Sequence, residues 1–486
     1  MEKLIQDLNG IVWGVPMLAL LLITGFFLSV GLRGLSISRI PYAFRQVFKK
    51  RTGNTDEGDV SPFAALMTAL SSTIGTGNIA GVAAAIAIGG PGAVFWMWVT
   101  AIVGTATKFS EGVLAVRYRE TDSNGNRVGG PMYYIKNGLG PKWAWLAATF
   151  ALFGMLAAWG TGASIQSNSV ADVLNDTYGI SPMLTAVVLA VAAAAVILGG
   201  IKRIGVVASG LVPLMAGLYI SAGLLVIFLN IGEVPDAFGL IFSSAFGLQS
   251  ASTGISIGLL MLAMKMGVAR GIFSNEAGQG SAPIAHAAAR NNDPVNQGLV
   301  AMLGTVIDTL IVCTITALVI LTSGVMTPEC LAGPETLAQL ATGTQPAGCD
   351  TSAPLTAAAF DASLTGIGKH IVAVGLAVFA FTTILGWSYY GERCAAFLFS
   401  EKVIIPYRIS WILVVFASSA ILVIEDKVSN IVNLFWLMAD TLTGLMAAPN
   451  LIALMLLSPV VFKLAKEYFD KDKIANDGLI DQDDLK

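Results

Sequence analysis

Two stretches of the chain place glycine and small polar side chains inside long apolar runs. Ser71-Ser72-Thr73-Ile74-Gly75-Thr76-Gly77-Asn78 lies within the run 62–88, and Gly247-Leu248-Gln249-Ser250-Ala251-Ser252-Thr253-Gly254 lies within the run 240–264. Such residues interrupt helices and free backbone N–H and C=O groups. In hydrocarbon, without water, freed groups persist only against a cavity or an ion. At Gly75-Thr76-Gly77 the freed amides would open a half-helix. Its positive dipole end suits a carboxylate, with the Thr76 hydroxyl and Gly77 amide in reach. The freed carbonyls of the second stretch suit an ammonium, with Gln249, Ser252, Thr253 and Gly254 lining it. Gln166, an amide within the apolar run 143–171, is a further candidate for an amino group. The competing reading of the glycines is a tight helix-packing seam.

The elements that must hold these residues are membrane spans. Of 486 residues, 55% are hydrophobic and 12% charged, and the mean hydropathy is +0.74. A soluble domain carries about 25% charge. The net charge of −3 comes without a basic arm, so nucleic acid is not an expected partner. No Walker-type phosphate loop is present, which disfavours ATP-driven transport. His286 and His370 stand in no metal-ligand spacing and beside no nucleophile, so an enzyme is not expected. The run 11–31 is too long for a signal core and is read as a retained span.

With about 20 apolar residues per crossing, spans are expected at 11–31, 62–88, 92–117, 143–171, 183–200, 205–230, 240–265, 298–323, 368–398 and 407–424, with a last region at 430–465. That region is long for one helix and holds Asp440 and the break Ala447-Ala448-Pro449-Asn450. Loops 32–61 and 117–142, then Lys202/Arg203, Lys265/Arg270/Arg290 and Arg393/Lys402/Arg408, carry the cations. They alternate with loops 172–182, 231–239 and 324–367, which have none. The positive-inside rule then puts the first set in the cytoplasm, the N-terminus outside and the lysine-bearing tail inside. Eleven crossings satisfy this, with 430–445 as a partial or surface element. Cys330 and Cys349 share the outer loop and are able to form a disulfide there, worth roughly 3 kcal/mol in the chain-entropy model; two free thiols are the alternative. Cys313 and Cys394 fall in apolar helices.

Without the segment 1–35, the spans divide into five plus five, 60–231 and 239–466, followed by the tail 467–486. Each half starts with a broken span, and the two run in opposite directions. This is an inverted repeat, in which substrate sites lie at the repeat interface. One chain supplying both halves argues against a channel, which favours symmetric rings.

Several motifs resemble the alanine or glycine:cation symporter family. They are Ser71 through Ala83, Gly89-Gly90-Pro91-Gly92-Ala93-Val94-Phe95-Trp96-Met97-Trp98, Gly129-Gly130-Pro131-Met132-Tyr133-Tyr134, and Arg270-Gly271-Ile272-Phe273-Ser274-Asn275-Glu276-Ala277-Gly278-Gln279-Gly280-Ser281-Ala282-Pro283. The resemblance runs from about residue 11 to 465. It implies an all-α polytopic membrane protein with the LeuT-type fold, an extra N-terminal helix, and sodium- or proton-coupled uptake of small neutral amino acids (alanine, glycine). A prokaryotic inner membrane is implied as well.

Carried onto these residues, the resemblance implies a sodium site made of the carbonyls of Ser71, Ile74 and Phe379 and the hydroxyls of Thr382 and Thr383. The alternative is that each threonine bonds back to its own helix. Trp387, four residues beyond Thr383 on one face, would wall the substrate pocket and leave room for a methyl or a hydrogen; the alternative is an interfacial tryptophan. Asp308, central in its span, needs a partner or water, since a bare carboxylate there costs at least about 2.5–3.5 kcal/mol. It is compatible with a cation route, a protonated acid or a structural pair. Lys108 and Glu111 are expected to pair locally. The Asn275-Glu276 block is expected in a folded cytoplasmic loop under the core.

Overall fold

The computed structural model describes residues 2–48, 57–248, 253–327, 330 and 350–476. Glu2–Val12 (α1) and Val15–Gly31 (α2) form the first apolar span. The next element begins sharply. Ser61 accepts a hydrogen bond from the Ala64 amide at 3.1 Å and Pro62 fills the first turn, so Pro62–Thr73 (α3) has a defined start. It stops because Ile74 turns to extended backbone, φ −76° and ψ 94°. After a π-helical turn, Gly77–Gly81, the chain resumes as Val82–Gly89 (α4). The two halves are bent by 53°, so this span is broken where the sequence predicts.

Gly92–Arg117 (α5) is almost wholly buried and runs into a short hairpin, Glu120–Thr121 (β1) and Arg127–Val128 (β2). Ala144–Ala157 (α6) and Ile165–Tyr178 (α7) form one span joined by a π-helical segment, Ala158–Ser164. Pro182–Ile197 (α8) and Gly200–Leu229 (α9) follow, and α9 turns Val206, Leu214, Leu218 and Phe228 outward as an apolar face suited to lipid. Val234–Ala245 (α10) ends in a turn with Gly247 at φ 66°.

Thr253–Asn275 (α11) then runs uninterrupted. Its break comes after Asn275, where Glu276, Gly278 and Gly280 all take positive φ before Ala282–Ala287 (α12). Asp293 caps the amides of Val295 and Asn296 to start Pro294–Thr305 (α13), which continues through π-helical Val306–Cys313 into Thr314–Thr322 (α14). Ser352–Ser363 (α15), Gly368–Phe399 (α16), Ile404–Ala420 (α17) and Glu425–Asn476 (α18) complete the chain. Among the described residues, nine helices are long and apolar enough to cross a bilayer, and the bent pair makes ten. The shorter α8 is a further apolar helix among the described residues.

Two expectations are corrected. The last region is one continuous helix, with Pro449 and Pro459 inside it, and contains no separate surface element at 430–445. The break expected at 247–254 lies largely outside the described residues, and the apolar span in this region is Ile257–Asn275, not 240–265. Residues 276–281, after Asn275, form a buried loop, as expected, and its polar groups find partners inside the protein.

At the hairpin end of the molecule a buried ion network ties elements together. Arg408 Nε and Nη2 donate to Glu392 at 2.6 and 3.0 Å, and Arg393 bonds both Glu392, at 3.1 Å, and Asp122, at 3.2 Å. Cys313 and Cys394 are free and buried. Cys330 is disulfide-bonded; Cys349 lies outside the described residues.

Candidate functional site

The two breaks meet. A Cβ placed on Gly77 would lie 3.4 Å from both Phe273 Cδ1 and Ser274 Cα, so the first break packs against the last turn of α11. Asn78 organises the junction. Its Oδ1 accepts from the Gly75 amide at 2.9 Å, and its Nδ2 donates to Asp308 Oδ1 at 2.7 Å. Asp308 Oδ2 accepts from Ser274 at 2.8 Å and from Thr309 at 2.7 Å. Asp308 therefore has its partners: three uncharged donors from three elements.

The second break is held just as fully. Asn275 Nδ2 donates to Thr309 at 3.1 Å. The Gly278 amide donates to Glu111 Oε1 at 3.2 Å, and Asn450 of α18 donates to the same oxygen at 2.7 Å and to the Gly278 carbonyl at 2.9 Å. Tyr134 donates to Asn450 in turn. Gly280 is confined to glycine twice over, since its φ is 83° and a Cβ there would meet Pro131, Phe150 and Asn450 at 2.6–2.9 Å. The expected Lys108–Glu111 contact pair does not form. Glu111 is taken by Asn450 and the break, while buried Lys108 is the cation facing Glu111, Glu276 and Asp308.

Beside the first break stands the middle of α16. Thr383 Oγ1 is 3.5 Å from the Ile74 carbonyl and 3.0 Å from that of Phe379. Thr382 Oγ1 donates to the Phe379 carbonyl at 2.9 Å and touches Met215 of α9 at 3.5 Å. Gly386 presses on Ser71 and Ser72, for a Cβ there would fall 2.7 and 2.2 Å from their hydroxyls. Ser71, Ile74, Phe379, Thr382 and Thr383 thus all lie at one crossing of α3 and α16, where both threonine hydroxyls also bond back to the Phe379 carbonyl of their own helix.

Gln166 joins from α7. Its Nε2 donates to the Thr161 carbonyl at 3.2 Å, while its buried Oε1 has no partner among the described residues and lies 3.4 Å from where a Gly75 Cβ would be. Trp387 is 2% exposed, which removes the interfacial reading, and its Nε1 donates to Glu276 Oε1 at 2.8 Å. Thr76 is buried at the turn between α3 and the π-helical segment. Thr253 and Gly254 do not come here. They start α11, about 33 Å along the helix from Asn275 at 1.5 Å per residue, whereas the first break packs at its other end. Gln249 and Ser252 lie outside the described residues. The residues missed from sequence are Asn78, Glu276, Asp308 as a settled partner, and Asn450. For Glu276 the signal was the polar run 274–281, too polar for a span and too rich in small residues for an exposed loop.

Comparisons with known proteins bear on the fold and the family. A solved structure of MhsT in complex with L-phenylalanine aligns over 84% of this chain and 98% of that one, with a TM-score of 0.53 at 13% identity. That match carries the fold, which is of the LeuT type. The sodium/alanine symporter AgcS of Methanococcus maripaludis is 49% identical over 96% of this chain and 97% of that protein. The probable sodium/glutamine symporter GlnT of Bacillus subtilis is 36% identical over 100% of this chain and 94% of its own. Residues 1–482 match the sodium:alanine symporter family, and the chain belongs to it.

Proposed function

We propose that the chain is a secondary transporter that couples sodium entry to uptake of alanine or glycine by alternating access. The observation that carries this is the crossing of α3 and α16. There the Thr383 hydroxyl reaches the Ile74 carbonyl beside the freed Gly75-Thr76-Gly77 backbone. In this reading Ser71, Ile74, Phe379, Thr382 and Thr383 hold sodium. The Thr76 and Gly77 amides take the substrate carboxylate, the unpartnered Gln166 Oε1 takes the ammonium, and Trp387 limits the side chain. Sodium in that place steadies the break that binds the carboxylate, which is the physical basis of coupling.

The halves 60–231 and 239–466 act as the two repeats, and 1–35 stands outside them. The N-terminus faces outward and the tail 467–486 lies in the cytoplasm of a prokaryotic cell. The 49% identity to a sodium/alanine symporter supports alanine over the glutamine named for a more distant relative.

The test is uptake of radiolabelled alanine and glycine into proteoliposomes under an inward sodium gradient, an inward proton gradient, or neither. Accumulation with sodium alone is expected. Accumulation driven only by protons would move coupling to a carboxylate such as Asp308. Equilibration without accumulation would make the protein a facilitator.

A further inference from the structure

We infer that Glu276 is a positioning residue that fixes the Trp387 indole and so sets the largest side chain the site admits. The inference rests on the reading that Trp387 walls the substrate pocket. Glu276 is buried and non-glycine, yet its φ is 55°, a conformation that side chains other than glycine, asparagine and aspartate seldom adopt. Both of its carboxylate oxygens are engaged. Oε1 accepts from Trp387 Nε1 at 2.8 Å, and Oε2 accepts from Ser281 at the far side of the same break. Its own amide closes the last turn of α11 on the Ile272 carbonyl at 2.8 Å, and its carbonyl receives the Gln279 amide at 3.1 Å.

The root of the Trp387 side chain is held by packing. Gly162 leaves no room for a Cβ, which would fall 2.2 Å from Trp387 Cβ, and the Tyr390 ring lies edge-on at 5.7 Å. The single polar atom of Trp387 is therefore tied to the break of a neighbouring helix, not to its own. A charge-assisted bond in a buried setting holds a rotamer firmly. Without it, the indole is free to swing about its side-chain torsions, and the pocket gains length.

The experiment compares kcat/KM for alanine and for leucine in proteoliposomes for the wild type, Glu276→Ala, Glu276→Gln, Trp387→Phe, and the Glu276→Ala/Trp387→Phe pair. Glu276→Ala is expected to raise the leucine-to-alanine ratio about tenfold, the scale on which a pocket senses a methylene or two, chiefly through leucine KM. Glu276→Gln keeps an oxygen for the indole N–H and should stay within about threefold of wild type. Trp387→Phe should relax the ratio as Glu276→Ala does, and the pair should show no further gain. An unmoved ratio in Glu276→Ala while Trp387→Phe relaxes it would overturn the inference, as would additive effects in the pair. An unmoved ratio in Trp387→Phe instead refutes the pocket reading, and the inference falls with it. Should Glu276→Ala fail to reach the membrane, Ser281→Ala frees the other carboxylate oxygen and should shift the ratio the same way by about threefold; no shift there also overturns the inference.

Discussion

The sharpest consequence of the site concerns one hydroxyl. Thr383 Oγ1 sits 3.5 Å from the Ile74 carbonyl and 3.0 Å from that of Phe379, where sodium is proposed to bind. Thr383→Val removes the oxygen and keeps the volume; Thr383→Ser keeps the oxygen and removes a methyl. An interaction between a charged group and a polar partner is worth about 1.5–3 kcal/mol. At about 1.4 kcal/mol per tenfold, Thr383→Val and Thr383→Ala should raise the half-saturating sodium concentration by about 10- to 150-fold. Thr383→Ser should stay within about threefold, having lost no ligand. Because sodium and substrate affinities are thermodynamically linked, alanine KM should rise at low sodium and return towards wild type at saturating sodium. The assay is initial-rate alanine uptake on a grid of sodium and alanine concentrations. Equal losses at every sodium concentration, or a Thr383→Ser variant as impaired as Thr383→Val, would refute the ligand assignment.

Two other substitutions probe how the site is held. Gly386→Ala places a methyl 2.2 Å from the Ser72 hydroxyl and 2.7 Å from that of Ser71, so α16 must retreat from α3. Overpacking of this kind costs about 1–3 kcal/mol, and thermal unfolding in detergent should drop together with sodium-driven uptake; unchanged values of both would refute the close approach. Arg408→Ala strips buried Glu392 of its bonds at 2.6 and 3.0 Å and leaves only Arg393 at 3.1 Å. Removing one partner of a buried pair costs about 3–5 kcal/mol. The remaining arginine argues for the lower end, and Arg408→Lys, which keeps charge without the fork, should fall between; a loss below about 1 kcal/mol would show the network to be dispensable.

Much of this was legible because a bilayer imposes simple rules. Span length and the Gly75-Thr76-Gly77 break led to most of the helices and to the first break, though the span expected at 240–265 is Ile257–Asn275. Thr382, Thr383 and Trp387 followed from a resemblance, and the structure brings Thr383 to the first break and Trp387 to Glu276. The loop between α11 and α12 was not expected to join the first break, and for a physical reason. Length and hydropathy favour a span wherever residues are apolar, so 247–254 looked like an interruption and 274–281 looked like a loop. The latter is affordable inside the protein only because Asp308, Thr309, Glu111, Asn450 and Trp387, drawn from four other helices, satisfy it. Local sequence carries no trace of partners that arrive from 34 to 172 positions away. Likewise, Lys108 and Glu111 have the spacing of a pair, but Glu111 is claimed by a helix more than three hundred residues on.

The π-helical segments have a consequence for how this chain can change. Gly77–Gly81 follows the first break, Ala158–Ser164 precedes Gln166, and Val306–Cys313 carries Asp308. Each π turn accommodates a residue beyond the α-helical complement. Rewinding one of these turns as α with no residue lost would turn everything beyond it by about 100°. Rewinding near Thr161 would thus swing Gln166 off Gly75, and rewinding near Thr309 would carry the end of α14 away from its neighbours, with every side chain still in place in the sequence. At these three points the winding of the helix is as much a specification of the site as the identity of its residues.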